Sequence, residues 1–471
     1  MDRPNTSAEG SLLELVARGK KDVYFYSNEK TAHVPFSYNA ETWPATIDET
    51  RNTQPLNMVD FGRTVEWEFD SFGDIMISAS LRIELPTWIP IHNMALNMKS
   101  VILDSSGSSY GYTQGVGAFL FEQIQFYQDQ LLLQEFSGDF LYAWTHFHSS
   151  LSQEALALTE MGCHTGSALD IQRNATPRKL TLRLPLIGCA HPDEGGFPLV
   201  ALPGQKFRLR CKLRRLEDIV ESSLGYVKPT PWGKSMVSRD RNGNETTFRT
   251  LSREEIGKPV IILETTQRYL RQDTQEPIKN NKYQIPFLRP FENKLSLDPS
   301  DYVSVGNGGT SYITKRIDGR HPTESILVMF QSEYTLERNQ LWNLKNPLVS
   351  SSGAYFNQLS LIIASKDREK QWNTALWNNI SPWVKCDKNP GIPVSWISFD
   401  VGPQYSSTAS EKREPGGTIN FTSADKPTLW LDIQDTLPAS YGQKRVTMRC
   451  VTPGWGVYLI EDNRGGMLFG N

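Results

Sequence analysis

The chain is predicted to be all-β, folding as two consecutive antiparallel sandwiches or jelly rolls with a few short helices in the loops. Three observations predict this. Strict apolar–polar alternation marks two strands flanking a Gly- and Pro-rich turn between Lys179 and Arg215. Short β-like runs separated by Gly, Pro, Asn and Asp clusters recur in both halves, with few helical periods between them. The length, 471 residues, is more than one hydrophobic core normally serves and suits two.

The alternation is clearest around the turn. Leu180, Leu182 and Leu184 alternate with Lys179, Thr181 and Arg183; Phe207, Leu209, Cys211 and Leu213 alternate with Lys206, Arg208, Arg210 and Lys212. Each strand has one apolar and one charged face, the pattern of a sheet packed on one side only. A one-residue slip of the second strand would expose Phe207, Leu209 and Leu213, at roughly 1.5–3 kcal/mol each, and drive cations inward. Pro192, Gly195, Gly196, Pro198, Pro203 and Gly204 punctuate the connection.

Taken from the start, Ser11–Gly19 reads as a short helix, with Ser11 and Glu14 as a capping box, Leu12, Leu13, Leu15 and Val16 as its apolar stripe and Gly19 as its stop. It lies in an arm, residues 1–21, ahead of the first domain, 22–269. Strands are expected at Thr64–Phe69, at Ser80–Leu85 and within Phe119–Phe136. An aromatic helix over Gly138–Ser152 follows, with Phe140, Trp144 and Phe147 on one face. Residues 217–258, with Pro229, Pro231, Gly233 and a charged run, read as a long exposed loop. Pro259–Leu263 is a compact strand, and the polar stretch after it places a linker at 270–282. The second domain, 283–471, offers strands at Glu324–Phe330, Leu359–Ala364, Val394–Phe399, Thr418–Phe421, Thr428–Ile433 and Arg445–Val451. Helical stretches are expected at Arg338–Leu344 and Arg368–Trp377.

Composition narrows the function. Hydrophobic content of 38% with 21% charged residues is globular, and no apolar run reaches the ~18 residues of a membrane span. Lys+Arg of 49 against Asp+Glu of 52 disfavours nucleic acid as the main partner. The five cysteines, Cys163, Cys189, Cys211, Cys386 and Cys450, are widely spaced and lack a C-x-x-C, so reduced thiols are expected, with Cys211 and Cys450 as small core hydrophobes. The amino-terminal residues show no continuous apolar h-region, so no secretory signal is expected.

Of the common catalytic signatures, H-E-x-x-H, Walker A and G-x-G-x-x-G are absent. His146 and His148 form an H-x-H that Cys163 and His164 could complete as a metal site. Positions two apart do not share a helical face, however, and the histidines are read as exposed polar residues. The basic row Lys206, Arg208, Arg210, Lys212 and Arg214 could meet nucleic acid, but it lacks stacking aromatics. It is expected to face solvent, to pair with Glu66 and Glu68 across a sheet, or to meet a neighbouring subunit. Trp372, Trp377, Trp383 and Trp396 are expected in the core, with a sugar platform as the alternative. Asp193 and Glu194, adjacent on a loop, give no control of carboxylate separation. No catalytic, cofactor-binding or metal-binding residue is assigned.

Three motifs in register carry a resemblance. Pro185-Leu186 followed by Pro198-Leu199-Val200-Ala201-Leu202 lies between the two alternating strands. The run from Gly10 to Gly19 followed by Asp22-Val23-Tyr24 is similar to G-G-x-x-Q-L-V-A-x-G-x-x-D-x-Y. Gly417 to Phe421 and Gly465-Gly466-Met467-Leu468-Phe469 resemble a G-x-x-N-F-S strand and a closing G-G-L-x-Y/F strand. Together they resemble the major capsid protein family of large icosahedral double-stranded DNA viruses, the iridovirus, phycodnavirus and asfarvirus group. Gly73-Asp74-Ile75 is similar to the family's G-D-L-I strand pair, whereas His33 to Tyr38 departs from its T-F-F-K segment. That departure leaves open a minor or paralogous capsid component.

The resemblance implies a double jelly roll of two eight-stranded barrels. It implies a structural virion protein without a reaction or cofactor, forming homotrimeric, pseudo-hexameric capsomers that tile an icosahedral shell. Implied partners are the chain itself, neighbouring capsomers, and minor capsid and penton proteins. The arm either reaches a neighbour or the inner membrane surface, or folds under its own barrel. The implied location is the virion, with assembly in the host cytoplasm or viral factory. A carbohydrate-binding jelly-roll protein is the alternative of another class.

Overall fold

In a computed structural model the chain is described over residues 46–148, 151–164, 167–176, 179–190, 195–239, 242–298, 312–320, 322–347, 353–364, 366–386, 389–399, 417–421, 427–433 and 444–468. The arm helix, Asp193, Glu194 and Phe469 lie outside these residues. The first half contributes β1 (Thr46–Thr53), β2 (Thr64–Glu68), β3 (Ile75–Glu84), β4 (Phe121–Gln128), β5 (Leu131–Phe136), β6 (Leu180–Arg183), β7 (Phe207–Leu213) and β8 (Val260–Leu270). These form two four-stranded sheets, ordered β1-β8-β3-β6 and β2-β7-β4-β5.

The second half contributes β9 (Tyr283–Leu297), β10 (Tyr312–Arg316), β11 (Ser325–Ser332), β12 (Gln358–Ile363), β13 (Lys366–Asn373), β14 (Ser395–Ser398), β15 (Thr428–Asp432) and β16 (Val446–Glu461). Its sheets run β9-β16-β11-β14 and β10-β15-β12-β13. Adding eight to each strand number of the first barrel reproduces the second. The fold is a double jelly roll, each barrel a pair of facing sheets whose closure hides most strand edges. Short strands at Pro322–Thr323, Ile419–Asn420 and Arg464–Met467 extend the inner sheet of the second barrel.

The alternation read from the sequence becomes one-sided burial. Along β7, Phe207, Leu209, Cys211 and Leu213 are buried while the cations between them point outward. Val65 and Trp67 on β2, and Leu81 and Ile83 on β3, close the same core, each fully buried. Strand β11 is different, because all of its residues are buried. Leu327 and Met329 join the core of the first barrel, whereas Ile326, Val328 and Phe330 join that of the second. A strand apolar on both faces belongs between two packed layers. The inner sheet of the second barrel is that shared layer.

Several segments differ from expectation. Residues 217–258 are not one exposed loop: Val220–Ser222 pairs with Tyr110–Tyr112, and Ser235–Arg239 pairs with Glu245–Arg249 and Val101–Asp104. Ile219, Val220, Met236 and Ile256 are buried there, so scattered short apolar runs were enough to anchor a stretch rich in turn residues. Strand β8 runs past the expected Pro259–Leu263 to Leu270, where the expected linker begins, and is paired with β3 as far as Arg268. Its polar Gln267 is fully buried because its side chain accepts from the Phe72 and Gly73 amides and donates to the Asp70 carbonyl. The rest of the linker forms a helix, Gln272–Asn280.

Strand β9, interrupted in sequence by Pro286 and Pro290, pairs with β16 along its whole length. Arg338–Leu344 is a series of turns rather than a helix, with Asn339 at φ 58°, and the helix sits just before it at Glu333–Leu336. Arg368–Trp377 is mostly strand β13, held by pairing to β12, with helical turns only from Thr374.

Candidate functional site

The aromatic helix expected after β5 begins at Gly138 and runs to His148; we label it α1. A Cβ at Gly138 would collide with the carbonyl oxygens of Ala118 and Phe121, so only glycine lets the helix start this close to the first barrel. That approach carries Asp139, in the first turn of α1, into the seam between the barrels. Its carboxylate accepts from Arg214 Nη2 at 2.6 Å, Arg449 Nη1 at 2.8 Å and Gln331 Nε2 at 3.0 Å. Arg449 Nη1 also lies 3.0 Å from Glu292. Arg214 follows β7 of the first barrel, while Gln331, Glu292 and Arg449 sit on β11, β9 and β16 of the second.

The electrostatics favour a charged Asp139. Burial alone would raise its pKa, but the guanidinium charges of Arg449 and Arg214 and the Gln331 amide outweigh it and hold the carboxyl down to about 2. Arg449 is itself raised: burial opposes its charge, and Asp139 and Glu292 more than compensate. A buried ion pair of this kind adds little net stability over an apolar equivalent, yet removing one partner strands the others. The network fixes how one barrel sits on the other.

Further polar and aromatic contacts lock the same seam. Gln134 donates to the Leu288 carbonyl at 2.8 Å and accepts from Ile187 N at 3.0 Å. Tyr458 Oη donates to Gln128 Oε1 at 2.8 Å, and Gln128 Nε2 donates to the Gly465 carbonyl at 2.9 Å. Asn339 Nδ2 bonds the carbonyls of Glu217 and Val220, at 2.7 Å and 2.6 Å, tying the former loop region to the second barrel. Phe147 meets Trp396 edge-on with centroids 4.5 Å apart.

The residues weighed for chemistry are mostly absorbed by this architecture. His146 is buried, not exposed, and its Nδ1 lies 2.9 Å from Glu154; the carboxylate on the next helix, Leu151–Glu160, draws the ring inward. The side chains of His148 and Cys386 lie outside the described residues. His164 Nε2 lies 2.9 Å from Glu221, whose other oxygen accepts from Trp342 Nε1 at 3.0 Å. Burial pushes the Cys163 thiol up to about 12, and raises Cys211 and Cys450, so none is a ready thiolate at neutral pH. Among the described residues no group of three or more potential metal ligands converges.

The basic row is paired, one of the three arrangements expected for it, with Glu122 as a further partner. Lys206 lies 2.9 Å from Glu68, Arg210 3.3 Å from Glu66, and Lys212 2.8 Å from Glu122. Glu66 stands directly opposite Arg210, and Glu68 opposite Arg208. The fifth cation, Arg214, turns inward to Asp139. Trp396 and Trp377 are core residues, whereas Trp372 and Trp383 are exposed, so the four do not form one platform. The Asp139 network was not singled out from sequence. Its one local signal was an acidic residue in the first turn of an otherwise aromatic helix.

No protein-family model matches the chain. It is 20% identical, over an alignment of 560 positions spanning 98% of this chain and all of the relative, to the major capsid protein of Phaeocystis pouchetii virus. Among solved structures it superposes on VP54 of PBCV-1 with a TM-score of 0.65 at 13% identity, covering 93% of this chain and all of that one. The Faustovirus major capsid protein gives 0.61 at 11% identity, over 92% of this chain and 94% of that one. The chain thus resembles the double jelly-roll major capsid proteins along nearly its whole length. Among the described residues no helix is long and apolar enough to cross a membrane.

Proposed function

We propose that this chain is a structural virion protein, the shell-forming capsid protein of a large icosahedral double-stranded DNA virus. The observation that carries the reading is the repeated strand order of two barrels fused by a buried seam, in a chain that aligns end to end with a viral major capsid protein. In this reading the chain works by shape and rigidity and catalyses nothing. Three copies, two barrels each, make a capsomer with six-fold outline. The arm at 1–21 and the loops between strands make contacts to neighbouring capsomers and to minor and penton proteins. The boundary between barrels falls in the helical connection at 270–282. Assembly takes place in the host cytoplasm or viral factory, and the mature location is the virion.

Light scattering after gel filtration tests the trimer: the expected mass is three times the 53.4 kDa of one chain. A persistent monomer or dimer counts against it. The departure at His33–Tyr38 supports a second reading, a paralogous component of the same particle. Copy number per particle separates the two, since a principal shell protein outnumbers every other virion protein.

A further inference from the structure

Helix α1 follows β5 and is enclosed by the seam: of its described side chains only Thr145 is half-exposed, and the rest are buried. In the second barrel it meets Gln331 near the end of β11, Arg449 near the start of β16 and Trp396 on β14. The repeat of strand order extends to this helix. Strand β13 corresponds to β5 and is likewise followed by a helix, a π-helical stretch, Leu376–Ile380, that continues as Ser381–Cys386; we label the whole α2. One side of α2 is fixed to its own barrel. Trp377 Nε1 donates to the Leu359 carbonyl at 3.1 Å, Ser395 Oγ to Asn378 Oδ1 at 2.6 Å, and Ser381 Oγ to the Trp396 carbonyl at 2.8 Å.

The other side is apolar and faces water. Ile380, Trp383 and Val384, spaced i, i+3 and i+4, are 50%, 60% and 55% exposed. Adjacent apolar side chains held outward on one anchored helix mark a contact surface. This surface continues the seam: α2 abuts α1, and Phe147 of α1 and Ser381 of α2 both meet Trp396. What covers α2 follows from the repeat. Helix α1 rests where β11 ends and β16 begins, and the matching place on the first barrel is where β3 ends and β8 begins. There Val260, opposite Glu84, is 49% exposed, and Ile262, opposite Arg82, is half-buried. Both apolar patches are exposed in a single chain, so they do not cover each other within it.

We propose that α2 docks on a second copy of this chain, with Ile380, Trp383 and Val384 covering Val260 and Ile262 of the neighbour as α1 covers the seam within one chain. The inference rests on the capsomer reading above and names the surfaces that hold its copies together. Because the two patches differ, the contact is heterologous: each copy gives one helix and receives another, and the chain of contacts closes as a ring. The receiving face is flanked by the ion pairs Arg82–Glu264 and Lys179–Glu84, at 3.1 Å and 3.3 Å, whereas Leu327, Met329 and Val451 line the seam. The contact between copies is therefore weaker than the contact between the barrels of one chain.

The test compares two full-length variants with the parent by light scattering after gel filtration. Trp383→Gln with Val384→Gln removes the helix patch, and Val260→Asp with Ile262→Thr removes the receiving patch. These side chains are exposed or half-exposed, so the circular dichroism of both variants is expected to match the parent's. Each variant alone is expected to run as a single chain at a concentration where the parent is a trimer. Mixed, they are expected to form a two-chain species, since the second variant keeps a sound helix and the first a sound receiving face. If the helix variant still assembles like the parent, the arm or another virion protein covers α2; that result overturns the proposal and leaves the trimer standing. A receiving-face variant that still forms trimers, or a mixture of two monomeric variants that stays monomeric, overturns the pairing of these surfaces. A parent that is monomeric at every concentration overturns both this inference and the capsomer reading.

Discussion

Strands β7 and β11 show how two barrels of identical strand order are used differently. In β7 every second residue is buried and the others carry charge to the surface, so the strand has an inside and an outside. In β11 no residue reaches solvent, because one face belongs to the second barrel and the other to the first. The first barrel leans on the second, and the second supplies a sheet with two interiors. Topology repeats while burial does not. Which sheet of a jelly roll becomes a shared wall is decided by side chains on its outer face.

If that asymmetry holds, the largest effect comes from emptying the shared face. Leu327→Ala and Met329→Ala are each expected to cost about 2–5 kcal/mol, and the pair is expected to split a single denaturant transition into two as the barrels uncouple. A lowered midpoint with one transition retained breaks the idea of a seam that can be weakened by itself. Next, Asp139→Ala strands Arg214 and Arg449 in the seam and is expected to cost about 3–5 kcal/mol, read by the same denaturation curves. Asp139→Asn sharpens the case: it keeps the shape, so any loss it causes reports the charge.

Acid titration should produce a smaller change. Beside Arg449 and Arg214 the Asp139 carboxyl is held down to about 2 in the folded chain, below the ordinary aspartate value of 3.8. Its contribution is therefore complete above the unfolded pKa and disappears as pH falls from about 4 through about 2, amounting to roughly 2 kcal/mol. Stability against pH measured in that window for the parent and for Asp139→Asn should converge at the acid end. The smallest effect belongs to the outward face of β7. Glu66→Gln, which removes an exposed partner of Arg210, is expected to change stability by about 0.5 kcal/mol or less and to lose even that in high salt. A larger value would mean that the outer ladder matters as much as the seam.

Much of this fold was legible wherever alternation was strict. The strands around Leu180 to Leu184 and Phe207 to Leu213, and the aromatic face of α1, follow directly from period, because one-sided burial writes itself into the sequence. Strand β9 was hidden by Pro286 and Pro290, since proline is harmless on the unpaired side of an edge strand yet reads locally as a break. Gln267 hid the end of β8 for a related reason: a buried amide that satisfies three backbone groups reads as a polar break after the apolar run until its partners at Asp70 to Gly73 are known. The Asp139 cluster draws on residues from five separate segments, and spacing along a chain holds no record of such convergence. The jelly-roll order itself came with the resemblance, not from periodicity, which counts strands without saying which ones pair.

The shared wall also sets a clock for synthesis. Strand β8 ends at Leu270 and β16 at Glu461, so the first barrel is complete on the ribosome roughly 190 residues before its covering sheet, an interval on the order of 10–40 s at about 5–20 residues per second. Throughout it, the apolar surface meant for Leu327, Met329, Val451 and Tyr458 faces water beside the nascent chains of neighbouring ribosomes. A crowded polysome would turn that surface into a route to aggregation, and a chaperone that shields it during those seconds would raise the yield of folded chain.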